Sequence, residues 1–145
     1  MPATIAADAT VLVAALVGWH ERHKEAAAAI EAALARKSLV IPAPALIEAY
    51  AVMTRLPAQH RLSHADAFHL LRTSFGPGVR ITALRATGTW PLLRKWSVAP
   101  IGGNEAYDAL IVEAARDAGA KTLLSFRRKE LERFAGAGLE VVEPV

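Results

Sequence analysis

Short apolar runs alternate with longer amphipathic stretches along the whole chain, and this alternation narrows the fold more than any other property. Residues 4–7, 38–41, 122–125 and 139–142 read as buried strands, and 79–82 is a further candidate. The first run ends at Asp8 and the second at Pro42. Helical patterns lie between them. Residues 11–17 form an apolar stretch stopped by Gly18, and 20–36 carry Ala, Ile and Leu at spacings of three and four. A third helix is expected over 44–55, with Pro44 in its first turn. The next starts at Ser63, an N-cap with Asp66 in the first turn, and stops before Gly76-Pro77-Gly78. Further helices are expected over 87–96, from a cap at Asn104 to about residue 118, and over 128–135. Parallel strands need a crossover connection, usually a helix, and this alternation supplies one between successive strands. The expected fold is therefore α/β, a parallel sheet with helices on both faces.

The 145 residues suit one domain with a real core, and neither a repeat nor a linker interrupts them. Without cysteine, disulfides and thiolate metal sites are excluded, and a reducing compartment is compatible. The first residues lack a basic stretch followed by a long apolar run, so no secretory leader is expected. Nor does any apolar segment reach the ~18–20 residues of a membrane span. The cytoplasm is the expected location. A net charge of +3 fits nucleic-acid binding and fits a simple solubility charge equally well.

Three carboxylates sit inside core-forming segments, where an unpaired ion is costly. Asp8 follows Ile5-Ala6-Ala7, Glu48 lies in Leu46-Ile47-Glu48-Ala49-Tyr50, and Asp108 opens Asp108-Ala109-Leu110-Ile111-Val112. Parallel sheets bind ligands beyond the carboxyl ends of their strands, and strand ends and helix starts can converge there. Each pair of carboxylates repels by about 4 kcal/mol at ~4 Å and an effective dielectric of ~20. A hard divalent cation, Mg²⁺ or Mn²⁺, relieves that repulsion and selects oxygen ligands. Each acid also has a plainer role. Asp8 can cap the helix near Thr10, Glu48 can be a solvated helix residue, and Asp108 can be a first-turn acid favoured by the helix dipole.

These residues carry a family resemblance. Asp8-Ala9-Thr10-Val11-Leu12-Val13-Ala14, Pro44-Ala45-Leu46-Ile47-Glu48, Tyr107-Asp108-Ala109-Leu110-Ile111 and Thr122-Leu123-Leu124-Ser125-Phe126 occur in order over nearly the whole chain. Together they resemble the PIN-domain ribonucleases, specifically the VapC toxins of type II toxin–antitoxin systems. The resemblance implies a three-layer α/β/α sandwich around a small, mostly parallel sheet. It implies a Mg²⁺- or Mn²⁺-dependent endoribonuclease with Asp8, Glu48 and Asp108 as metal ligands and catalytic acids. Thr10 and Ser125 would be supporting hydroxyls. A homodimer and a small VapB-type antitoxin are the implied protein partners, with RNA as substrate.

One position departs from that pattern. Where the family often has a fourth Asp or Asn, this chain has Arg127, which has donors and no acceptor and so cannot bind a metal. Two readings remain open. Arg127, with Arg128 and Lys129, can hold RNA phosphates. Alternatively, catalysis is weakened or lost, leaving an RNA- or protein-binding scaffold. Phosphatase- or DNase-like use of the same site is a third possibility.

Other chemistries find no support. His20-Glu21-Arg22-His23 lacks the i, i+4 histidine spacing of a zinc protease, and none of the five histidines is assigned to a metal. The chain has no Walker lysine loop, no dinucleotide fingerprint and no Gly-x-Ser-x-Gly elbow. Asp8-Ala9-Thr10 lacks the second Asp of a haloacid-dehalogenase-type phosphatase. Trp19, Trp90 and Trp96 can stack on bases, though packing is the commoner use of such residues.

Overall fold

A computed structural model describes residues 3–145. Five strands, β1 (Ile5–Ala7), β2 (Leu39–Pro42), β3 (Arg80–Thr82), β4 (Thr122–Leu124) and β5 (Glu140–Val142), form one sheet in the order β3-β2-β1-β4-β5. Every pairing is parallel, so the sheet is wholly rather than mostly so. The candidate strand 79–82 forms as the edge strand β3 over its last three residues.

Among the described residues seven α-helices connect the strands: α1 (Ala9–Leu16), α2 (His23–Ala35), α3 (Ala43–Thr54), α4 (His64–Phe75), α5 (Thr89–Val98), α6 (Glu105–Asp117) and α7 (Arg128–Ala135). Side chains alternate across the strands as the pleat requires. Ala7, Ile41 and Leu124 pack with α1 to α4 in one core, while Ala6, Leu123 and Val141 pack with Val112 of α6 and Leu131 of α7 in another. This gives the expected α/β/α layering.

Three local expectations fail for identifiable reasons. Helix α2 starts at His23, not at residue 20, because His20 Nδ1 accepts the Arg22 amide at 3.0 Å and holds a turn there. Asn104 does not cap α6. Its backbone is already helical (φ −65°, ψ −23°), and its side chain makes no capping bond. A 3₁₀ turn at Ala86–Gly88 takes up the start of the helix expected over 87–96, and α5 begins at Thr89. By contrast, Ser63 caps α4 as expected, its Oγ accepting the Asp66 amide at 3.0 Å. At the other end of α4, a Cβ on Gly76 would lie 2.4 Å from the Arg72 carbonyl oxygen, so the tight exit needs glycine. Among the described residues, no helix is long and apolar enough to cross a membrane.

Candidate active site

Strands β1 and β4 are neighbours at the centre of the sheet, so the residues after their carboxyl ends meet. Asp8 leaves β1, and its amide donates to the Leu124 carbonyl at 3.0 Å. Ser125 leaves β4. Its Oγ donates to Asp8 Oδ2 at 2.5 Å, and both residues are buried. Thr10 Oγ1 donates to Asp8 Oδ1 at 2.6 Å and in turn accepts the Phe126 amide at 3.0 Å. The Val11 amide reaches Asp8 Oδ1 at 3.2 Å, making Asp8 the N-cap of α1. The capping role of Asp8 is therefore real, and it does not exhaust the group. An ionised carboxylate offers about four lone-pair sites, and three donors leave room for a cation.

Burial to 3% exposure pushes the Asp8 carboxyl above the ordinary range, opposed by the bonds from Ser125, Thr10 and Val11. Glu48, half-buried on α3, is also raised. Burial is the main cause, followed by the charges of Asp8 and Asp108, while Arg127 and Arg55 act in the other direction. Those mutual charges place Glu48 within electrostatic range of both aspartates. Among the described residues, no three His, Cys, Asp or Glu side chains are close enough to form a ready-made chelate. The donor set nevertheless fits a small hard cation. Mg²⁺ is usually held by about one or two carboxylates plus waters and substrate phosphates, not by an all-protein cage.

Asp108, in the first turn of α6, faces Arg127. Arg127 Nη1 donates to Asp108 Oδ1 and Nη2 to Oδ2, both at 2.8 Å. Burial would lower the guanidinium pKa, but the bonds and charge of Asp108 outweigh it and hold Arg127 above its ordinary value. Glu48, Asp108 and Arg127 line one open groove with Arg55, Asn104 and Tyr107. Arg55 escaped the sequence reading, yet it is the residue that ends α3, seven positions or about two turns after Glu48. Of the basic residues after β4, Arg128 pairs along α7 with Glu132 at 2.6 Å, Arg133 pairs with Glu105 at 2.8 Å, and Lys129 is exposed. Trp96 is buried. Trp19 stacks on His60 with ring centroids 4.1 Å apart, and Trp90 is 81% exposed.

The raised carboxyls set a stability trend. A carboxyl whose pKa is higher in the folded state stabilises the fold fully below its unfolded value and loses that contribution as pH rises through the folded value. For Glu48 the lower limit is about 4.5. With a chelator present, Glu48→Gln should raise the melting temperature by about 2 °C near a pH of ~7, after allowing for solvent screening, and by nothing near a pH of ~4. Thermal unfolding at the two pH values checks this, and equal shifts at both would count against the charge explanation.

The chain belongs to the PIN domain family, whose model matches residues 5–136. It is 33% identical over 141 residues to Ribonuclease VapC40 of Mycobacterium tuberculosis, covering 94% of this chain and 96% of that protein. With Ribonuclease VapC27 of the same species it shares 34% identity over 142 residues, covering 98% of each. Two solved structures share the fold. The sarcin-ricin loop cleaving toxin VapC20 of M. tuberculosis has a TM-score of 0.62 at 18% identity, covering 90% of this chain and 95% of that one. FitAB bound to a DNA fragment has a TM-score of 0.65 at 14% identity, covering 97% and 95%.

Proposed function

We propose that this protein is the toxin of a VapBC-type pair, a Mg²⁺- or Mn²⁺-dependent endoribonuclease. The observation that carries the reading is the Asp8 carboxylate, buried where β1 and β4 end, oriented by two hydroxyls and within charge range of Glu48. Relatives named as ribonucleases that span nearly the whole chain supply the substrate class. Asp8, Glu48 and Asp108 would hold the ion. When bound, it polarises a phosphoryl oxygen and lowers the pKa of water toward neutrality.

The protein's own residues divide the remaining tasks. Thr10 and Ser125 fix both oxygens of Asp8 and favour its ionised form against the cost of burial. Glu48 is the group suited to take a proton from the attacking water, because it is half-buried, borders the open groove and is not engaged by Arg127 as Asp108 is. Arg127, Arg128 and Lys129, at the start of α7, are the proposed phosphate contacts. Protein partners are a second copy and a VapB-type antitoxin. Ile47 and Phe68, both well exposed, line an apolar groove with Leu46, Tyr50 and Ile81, and this supports a protein contact there. The cytoplasm is the proposed compartment, since cellular RNA is met there.

Purified protein should cut RNA in Mn²⁺ or Mg²⁺, lose all cleavage in excess chelator, and leave DNA of the same sequence intact. Induced expression should arrest growth and create a dominant set of new RNA 5′ ends. Cleavage that persists in chelator would overturn the metal assignment. The Arg127–Asp108 pair favours one competing reading, a scaffold that binds RNA without cutting it. RNA retention with no new ends in either metal would select it.

A further inference from the structure

The chain brings a cation of its own to the carboxylates. Arg127 is tied to two of them at once. Its amide donates to Ser125 Oγ at 2.9 Å, and Ser125 donates to Asp8 Oδ2. Its guanidinium forms the two parallel bonds to Asp108, one to each oxygen. Fork-to-fork pairing is the strongest geometry available to these groups. It also covers the edge of Asp108 at which a metal would bind. A divalent ion beside the same carboxylate would meet the guanidinium charge at close range, which sets the two in competition for Asp108.

The two ends of the pair differ in freedom. The Asp108 side chain is 12% exposed and sits in the first turn of a helix, whereas that of Arg127 is 42% exposed and borders the open groove. When the pair opens, Arg127 is the partner that can move. Removing it for good would leave a nearly buried carboxylate without its counter-charge, which is costly.

We infer that Arg127 is a built-in counter-ion of the site, neutralising Asp108 in the metal-free protein and leaving it when a divalent cation binds. This rests on the reading of Asp8, Glu48 and Asp108 as metal ligands. Metal affinity is then set by a competition within the chain, and the arginine holds the empty fold together at the expense of tighter metal binding.

Calorimetric titration of the purified protein with Mn²⁺, combined with thermal unfolding, tests the inference on wild type, Arg127→Ala, Arg127→Gln and Arg127→Lys. Both uncharged variants should bind Mn²⁺ about tenfold more tightly than wild type, equivalent to about 1.4 kcal/mol. Arg127→Lys, a point charge without the fork, should fall between. In chelator the uncharged variants should melt about 3 °C below wild type, and saturating Mn²⁺ should raise them more than it raises wild type. Uncharged variants that bind Mn²⁺ no better than wild type would overturn the inference and leave the metal site standing. No Mn²⁺ binding by any of the four proteins would overturn both.

Discussion

Replacing Asp8 by Asn is expected to lower RNA cleavage by roughly 10²- to 10³-fold while the protein stays folded. The change alters charge and hardly alters shape. The amide oxygen of Asn can still accept the Val11 amide and the Thr10 hydroxyl, so α1 keeps its cap. The anion is lost, and with it the strongest attraction for a divalent ion at the end of β1; the Oδ2 acceptor is lost too, so the Ser125 hydroxyl must turn from donating to accepting at that position. Burial already holds Asp8 above the ordinary carboxylate range, so removing its charge costs the fold little. The variant should therefore show a wild-type far-ultraviolet spectrum and a melting temperature in chelator within about 5 °C of wild type, the disturbed bond to Ser125 being offset by the loss of a buried charge. Cleavage of a labelled RNA in Mn²⁺ gives the rate. A rate within threefold or so of wild type would exclude Asp8 from the machinery, because a lost transition-state contact of this kind costs far more.

Ser125→Ala should affect stability and activity together. Ser125 Oγ is fully buried and acts in both directions, donating to Asp8 and accepting the Arg127 amide. Alanine removes one bond from a buried carboxylate and leaves a backbone donor without its partner. The expected loss is about 1–3 kcal/mol of stability. Supporting residues of this kind typically change metal affinity or activity by about 10- to 100-fold. Urea unfolding in chelator and Mn²⁺ titration measure the two effects separately. Unchanged metal affinity alongside reduced stability would make Ser125 a structural residue only.

Much of this site was legible before any coordinates. Strand ends and helix starts follow from local apolar pattern, and Asp8, Glu48 and Asp108 were recognisable because charge interrupts that pattern. Thr10 and Ser125 carry no such local signal, and only the family resemblance pointed to them. The partner of Arg127 was not legible. Its bond to Asp108 spans 19 residues and depends on how α7 docks against α6, which no local periodicity encodes. Asn104 misled because a good capping residue type does not ensure an extended backbone, and without one its side chain cannot fold back onto the helix. His20 misled in the opposite direction, since a side-chain bond to the main chain displaced a helical turn that propensity favoured.

The bond between Asp8 and Ser125 joins residues 117 positions apart, and β4 must pair beside β1 before it can form. A nascent chain therefore carries Asp8 through the synthesis of the next 117 residues without the Ser125 hydroxyl that orients it. Contacts of such long sequence separation close only after the intervening chain has collapsed. Assembly of the cleft is thus deferred until β4 has been made and has paired with β1. A chain stalled anywhere before residue 125 therefore carries the carboxylate of a proposed RNA-cutting cleft without the hydroxyl that completes it.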